Sequence, residues 1–252
     1  MMARMSPVPR LVPRPTARSL RLLGLVLPGI REITAQIEPY TAWWDDQNQR
    51  AAEGSGPLLV AIGDSTAIGV GASAPSRSYV GLLRTALAER DGRTWRAVNL
   101  ALSGARLDDA VERQLPAVLG LEPDLVTCCI GTNDLVWGRE TTELRTRLRE
   151  LVTGLPIVSV IGSLAGSSTR GQSANRALRN AAAKRDLPVV NPWAESGPPP
   201  RHRLAADRFH PNDLGYELMA RPFGRHLGIE YPGAPRVTDD PQAVPEADLS
   251  ER

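Results

Sequence analysis

The chain has 252 residues, 42% of them hydrophobic and 23% charged, which is ordinary for a soluble globular protein and favours one α/β domain with extensions. Its 30 Lys and Arg nearly cancel its 28 Asp and Glu, so no global field recruits nucleic acid. With 2 cysteines and 3 histidines, zinc-type ligand spacings are absent, and neither a metal nor a cofactor is expected.

Met1 to Arg18 is rich in Pro and Arg and is expected to lack order. Arg4, Arg10, Arg14, Arg18 and Arg21 all precede Glu32, the first acidic residue. Leu20 to Ile30 is apolar but too short to span a bilayer, and Arg21, Pro28 and Gly29 interrupt it. A basic stretch ahead of an apolar one has the outline of a signal peptide, but no small-x-small cleavage site follows. Ile30, Ile33, Ile37, Tyr40 and Trp44 recur at steps of three and four, which predicts an amphipathic helix that Pro39 should break in two. That helix either packs on the main domain or lies with the basic segment on an anionic membrane as a peripheral contact. Glu38, Asp45 and Asp46 interrupt the positive face and favour the packed extension, with a cytoplasmic location. Residues 1–53 are therefore read as an extension, residues 54–229 as the main domain, and the Pro-rich acidic stretch from Glu230 as a disordered tail.

From Gly54 onward, apolar strand-like runs at Leu58–Ile62, Ala97–Leu102, Leu125–Ile130, Ile157–Ile161 and Pro188–Val190 alternate with helix-like segments. The helices are predicted over Tyr79–Glu89, Leu107–Leu119, Thr141–Val152, Gln172–Arg185 and Asp213–Leu227. This alternation indicates an α/β fold with a five-stranded parallel sheet between helix layers. Cys128 and Cys129 are neighbours on one strand and point to opposite faces, so a disulfide between them is excluded and both read as small buried hydrophobes.

Right-handed crossovers place all strand C-termini on one edge, where open α/β sheets bind ligands. Ser65, Ser103-Gly104, Asn133-Asp134, Ser163 and the loop after Val190 meet there. Ser65 follows the first strand at a sharp turn, where it is either a rigidly presented hydroxyl or a simple helix cap. Of the histidines, His226 near a helix end and His202 among prolines read as structural, whereas Asp207 precedes His210 by three residues and can hold its tautomer. Asn133 offers an amide and Gly104 an unobstructed backbone N–H, although each is also an ordinary turn residue.

The order of these signals resembles the SGNH hydrolases, the GDSL esterase/lipase family. Gly63-Asp-Ser65 is similar to its nucleophile block, Gly104 to its second, Gly131-x-Asn133-Asp134 to its third and Asp207-x-x-His210 to its last. Thr66 departs from the family's Leu. The resemblance, covering Leu58 to Leu227, implies a three-layer, flavodoxin-like α/β/α sandwich and metal-free hydrolysis of small-molecule acyl esters. It implies Ser65 as nucleophile, His210 as general base and Asp207 as its orienting partner. It also implies an oxyanion hole from the N–H groups of Ser65 and Gly104 and the side chain of Asn133. Asp64 is expected to brace the turn and Asp134 to be structural. Leu135 and Trp137 either wall the substrate cleft or pack in the first turn of the next helix, and short to medium acyl chains are expected.

Other readings use parts of the same pattern. An α/β-hydrolase elbow would read Gly-x-Ser-x-Gly, a phosphate loop would end in Gly-Lys-[Ser/Thr], and a metallophosphatase would need more ligands. Acyl transfer to an alcohol and a catalytically silent binding module remain as alternatives. Oligomeric state has no sequence signal.

Overall fold

The computed structural model describes residues 8–12, 28–166, 168–194 and 200–230. Most of Met1–Arg18, the Leu20–Leu27 part of the apolar run and the tail beyond Glu230 lie outside them. Five parallel strands, β1 Leu58–Gly63, β2 Arg96–Asn99, β3 Leu125–Cys129, β4 Ser159–Gly162 and β5 Val189–Val190, form one sheet in the order β2-β1-β3-β4-β5. This is the flavodoxin-like order.

The two-residue period of a strand explains the layers. Leu58, Val60 and Ile62 of β1 pack into one core with Leu144, Leu148 and Leu178, while Leu59 and Ala61 face a second core with Leu83, Phe223 and Trp44. Cys128 and Cys129 likewise enter opposite cores, free and buried; burial pushes the Cys128 thiol up to about 12 and Cys129 well above its ordinary value, with the nearby Asp64 carboxylate adding to the rise. In chain order the helices are α1 Pro28–Ala35, α2 Ile37–Glu53, α3 Ser65–Ile68, α4 Tyr79–Asp91, α5 Leu107–Asp109, α6 Leu115–Leu119, α7 Thr132–Val136, α8 Thr141–Gly154, α9 Thr169–Ala183 and α10 Asp213–His226. Helices α4 and α10 meet through Tyr79 stacked on Phe223, with ring centroids 5.2 Å apart.

Five sequence expectations need correction. The extension does break in two, but between Ala35 and Ile37 and not at Pro39, which sits in the first turn of α2. A helical proline excludes the carbonyl four residues back, here that of Ala35, so the break falls one turn upstream. The segment Leu107–Leu119 is not one α-helix: Ala110–Gln114 forms a π turn in which the Leu115 N–H reaches Ala110 O. Pro116 follows directly, and the wider turn accommodates its missing donor and its ring. The ladder partners of β2 end at Asn99, although Leu100 N and Leu102 N still donate to Ala61 O and Gly63 O. Ile157 is 78% exposed and precedes β4, and α9 begins at Thr169, three residues before the predicted start.

The described part of the extension packs on the body. Ile33, Trp44 and Ala51 are buried. Asn48 lies against edge strand β2, donating through Nδ2 to Asn99 O (3.0 Å) and accepting from Asn99 N (2.8 Å). The polar side chain thereby occupies backbone groups that an open edge would leave unpaired. Among the described residues, no helix is long and apolar enough to cross a membrane.

Candidate active site

The apolar run of β1 stops at Gly63, and the chain turns at once into α3. Asp64 is the N-cap, accepting at Oδ1 from Thr66 N (2.9 Å) and Thr66 Oγ1 (2.8 Å). Burial pushes its carboxyl up, against the opposing pull of those two bonds. Ser65 is the first helical residue, where backbone N–H groups have no intrahelical acceptor.

Ser65 Oγ lies 2.9 Å from His210 Nε2. The opposite ring nitrogen, His210 Nδ1, lies 2.6 Å from Asp207 Oδ2, and Asp207 Oδ1 accepts from the backbone N–H groups of Phe209 and His210, each at 3.0 Å. Desolvation raises the Asp207 carboxyl, but the His210 bond and charge and the two backbone N–H groups outweigh it, so the net direction is down. An ionised carboxylate only accepts, so the imidazole proton sits on Nδ1 and the Nε2 lone pair faces the serine hydroxyl.

The histidine loop is held from several sides. Ala205 N donates to His210 O (2.8 Å), Asn212 N donates to Arg203 O (2.9 Å), and Asn212 caps α10 through Gly215 N (3.1 Å). Gly71, at φ +100°, passes beneath the loop; a Cβ there would come within 2.9 Å of His210 Cβ and 2.4 Å of Pro211 O. Only glycine permits this approach at that backbone angle. Phe209 is half exposed and sets its ring edge-on to the His210 imidazole at 5.0 Å. His202 and His226 are exposed.

The loops after β2 and β3 are tied to each other. Asn133 Nδ2 donates to Ala105 O (2.9 Å) and makes a longer contact of 3.4 Å to Asp64 Oδ2. Asp134, fully buried, accepts from Leu107 N (3.0 Å) and from Arg139 Nε (2.5 Å). Arg139 also pairs with Asp108 and Glu143. Gly104, at φ +74°, has open space where a side chain would stand. Leu135 is half-buried against the core, and its carbonyl accepts from Arg170 Nη1 (3.3 Å), whereas Trp137, at the end of α7, is 49% exposed. Ser163, also expected at this edge, is turned to Asn191 Oδ1 (3.1 Å).

Sequence reasoning missed Gln114, whose side-chain amide accepts from Gly63 N and donates to Gly63 O, both at 2.9 Å. Its signal was a Gln on the apolar stripe of Leu107, Ala110, Leu115 and Val118. Arg139, the partner of Asp134, was also missed; nothing in its local sequence marks it. Among the described residues, no group of three or more His, Cys, Asp or Glu could hold a metal ion.

Comparisons with known proteins agree with this architecture. The family model for the GDSL-like Lipase/Acylhydrolase family matches residues 61–218. No curated protein matches the chain by sequence. Among solved structures, the chain is similar to TesA at 23% identity and TM-score 0.59, covering 68% of this chain and 97% of that one. It is similar to Axe2, an acetylxylan esterase from Geobacillus stearothermophilus, at 22% identity and TM-score 0.56, with 70% and 96% covered. It is also similar to the esterase EstA from Pseudoalteromonas sp., in a structure inhibited by monoethylphosphonate, at 16% identity and TM-score 0.57, with 69% and 100% covered.

Proposed function

The chain belongs to the GDSL-like lipase/acylhydrolase family and hydrolyses ester bonds, and from that premise we propose that it is a serine esterase forming an acyl-enzyme on Ser65. The observation that carries the proposal is the relay from Asp207 Oδ2 to His210 Nδ1 and from His210 Nε2 to Ser65 Oγ, at 2.6 and 2.9 Å.

Ser65 Oγ attacks the ester carbonyl carbon while its proton passes to His210 Nε2, and Asp207 stabilises the imidazolium that forms. The carbonyl oxygen becomes an oxyanion, received by the N–H groups of Ser65 and Gly104 and by Asn133 Nδ2. Of the two acceptors now held by the Asn133 amide, Asp64 at 3.4 Å is the more distant, and the oxyanion takes its place. Collapse breaks the bond to the leaving alkoxide, which takes the proton from Nε2. Water, deprotonated by the same nitrogen, then attacks the acyl carbon, and Ser65 departs with its proton restored. Trp137 and Phe209, both half exposed and each close in sequence to a site residue, are the proposed walls for the apolar part of a small-molecule acyl ester. Leu135 contributes behind them.

The test is a panel of p-nitrophenyl esters of increasing chain length, with and without alcohol acceptors, on wild type and Ser65→Ala, alongside phosphonate labelling read by mass spectrometry. We expect hydrolysis, a phosphonyl adduct on Ser65, and a loss of about 10^4- to 10^6-fold in kcat for Ser65→Ala. Asn133→Ala is expected to raise the barrier by about 3–4 kcal/mol. Full turnover by Ser65→Ala would sink the acyl-enzyme, and ester product exceeding acid product would make the protein a transferase.

A further inference from the structure

Helix α2 and the residue before it carry a polar stripe at steps of four. Gln36 Oε1 accepts from Gly71 N (2.8 Å), and its Nε2 reaches Ala72 O (3.4 Å). Tyr40 Oη donates to Ala72 O (2.7 Å), and Trp44 Nε1 donates to Ile68 O (2.9 Å). Asn48 exchanges two bonds with the Asn99 backbone, and the Asn99 side chain in turn donates to Ala67 O (2.8 Å). Steps of four lie on one helical face, so one side of the extension addresses main-chain groups of Ile68, Gly71 and Ala72 in the Ala67–Ala72 segment, and reaches Ala67 through Asn99. That segment begins two residues after Ser65 and ends beside His210, whose Cβ a side chain at Gly71 would meet. Helix α1 approaches the histidine loop itself: a Cβ on Gly29 would stand 2.3 Å from the carbonyl oxygen of Ala206, the residue before Asp207.

Apart from the Asn99 side chain, these contacts come from residues ahead of 61, where the family match begins. An amphipathic helix needs only apolar contacts to stay docked; this one also satisfies buried main-chain groups one after another, which fixes its register against them. We propose that the extension is a positioning device, in which Gln36 and Tyr40 fix the Gly71-Ala72 turn that supports His210, while Trp44 and Asn48 fix the turn that presents Ser65. The inference rests on the esterase reading of Ser65 and His210. Neither Gln36 nor Tyr40 touches substrate in this scheme; they act through the spacing of the serine and the imidazole, where small displacements are costly.

The test uses the full-length chain with Gln36→Met, Tyr40→Phe, their combination and Gln36→Glu, and Arg50→Ala on the exposed side of α2 as control. For each variant, kcat and KM on p-nitrophenyl acetate are measured together with the melting temperature. The downfield proton resonance of His210 Nδ1–H is read without substrate. At a temperature where every variant is folded, the double variant is expected to lose about ten- to a hundredfold in kcat with little change in KM, and to shift or broaden the His210 resonance. Gln36→Glu retains an acceptor for the Gly71 N–H but loses the donor to Ala72 O and should fall between wild type and the double variant, whereas Arg50→Ala should stay near wild type. If the double variant does not fold, Tyr40→Phe, which removes one hydroxyl and no packing, carries the comparison. A lowered melting temperature with kcat and the His210 resonance unchanged would overturn the proposal. Were the wild type to hydrolyse no ester, the resonance alone would decide this point, and only the esterase reading would fall.

Discussion

Gln114 and Gly63 exchange two hydrogen bonds, side-chain amide against main chain, both at 2.9 Å. A strand residue points its N–H and C=O to the same side, and for Gly63 that side is β2, whose ladder partners end at Asn99. Gln114 supplies the acceptor that the Gly63 N–H lacks on that side, and its amide N–H adds a second donor at Gly63 O beside Leu102 N (3.3 Å). It does so from the π turn ahead of Pro116, and the glycine it holds stands just before Asp64 and Ser65.

Gln114→Leu keeps the volume but leaves a buried N–H without an acceptor. We expect a loss of about 1–3 kcal/mol in stability by urea unfolding, together with lower kcat, since the orphaned N–H adjoins the nucleophile turn. An unchanged unfolding midpoint would show that water or β2 replaces the amide.

Arg139→Met leaves the Asp134 carboxylate buried without its cation. Burial already pushes that carboxyl up, while the Leu107 N–H and Arg139 pull it down. Removing the cation should cost about 3–5 kcal/mol near neutral pH. The loss should shrink in acid, because a raised carboxyl binds its proton earlier in the folded state. Unfolding free energies for wild type and variant across the acid range check the slope.

Asp207 shows the opposite sign. Its carboxyl is held below its ordinary value, so its contribution to stability is present above the unfolded value of 3.8 and is lost as pH falls through the lower folded one. Asp207→Asn should therefore destabilise the protein more at about pH 7 than at about pH 3. Equal losses at both pH values would mean that geometry and not charge is responsible.

Arg208, exposed between Asp207 and Phe209, holds φ +56° without a glycine. The left-handed conformation costs a side chain about 1–2 kcal/mol, of which glycine's freer unfolded chain returns about half. Arg208→Gly should thus raise stability by roughly 0.5–1 kcal/mol, whereas Arg208→Val should lower it. Thermal unfolding of the two variants distinguishes these signs.

Much of the fold was legible because periodicity reports burial. The run Leu58–Ile62 is apolar throughout since β1 is central and covered on both faces, and the spacing of strand and helix runs implied the parallel sheet. Where local chemistry competes with the pattern, the reading slipped. Pro39 acts on a carbonyl one turn away, and Pro116 widens the turn before it. Ile157 is apolar yet exposed, so composition alone extended β4 too far.

What the sequence determined by itself was a set of candidate site residues and the sheet edge to which they are delivered, since strand ends and turn residues are local properties of the chain. Tertiary structure alone decided the distances. A 145-residue separation says nothing of the 2.9 Å between Ser65 Oγ and His210 Nε2. Nor could it show that Gln114, Arg139 and the face of α2 bearing Tyr40 and Trp44 hold the loops around that pair. Those supporting contacts join side chains to backbone groups distant in the chain, and such pairings leave no periodic trace in the order of residues.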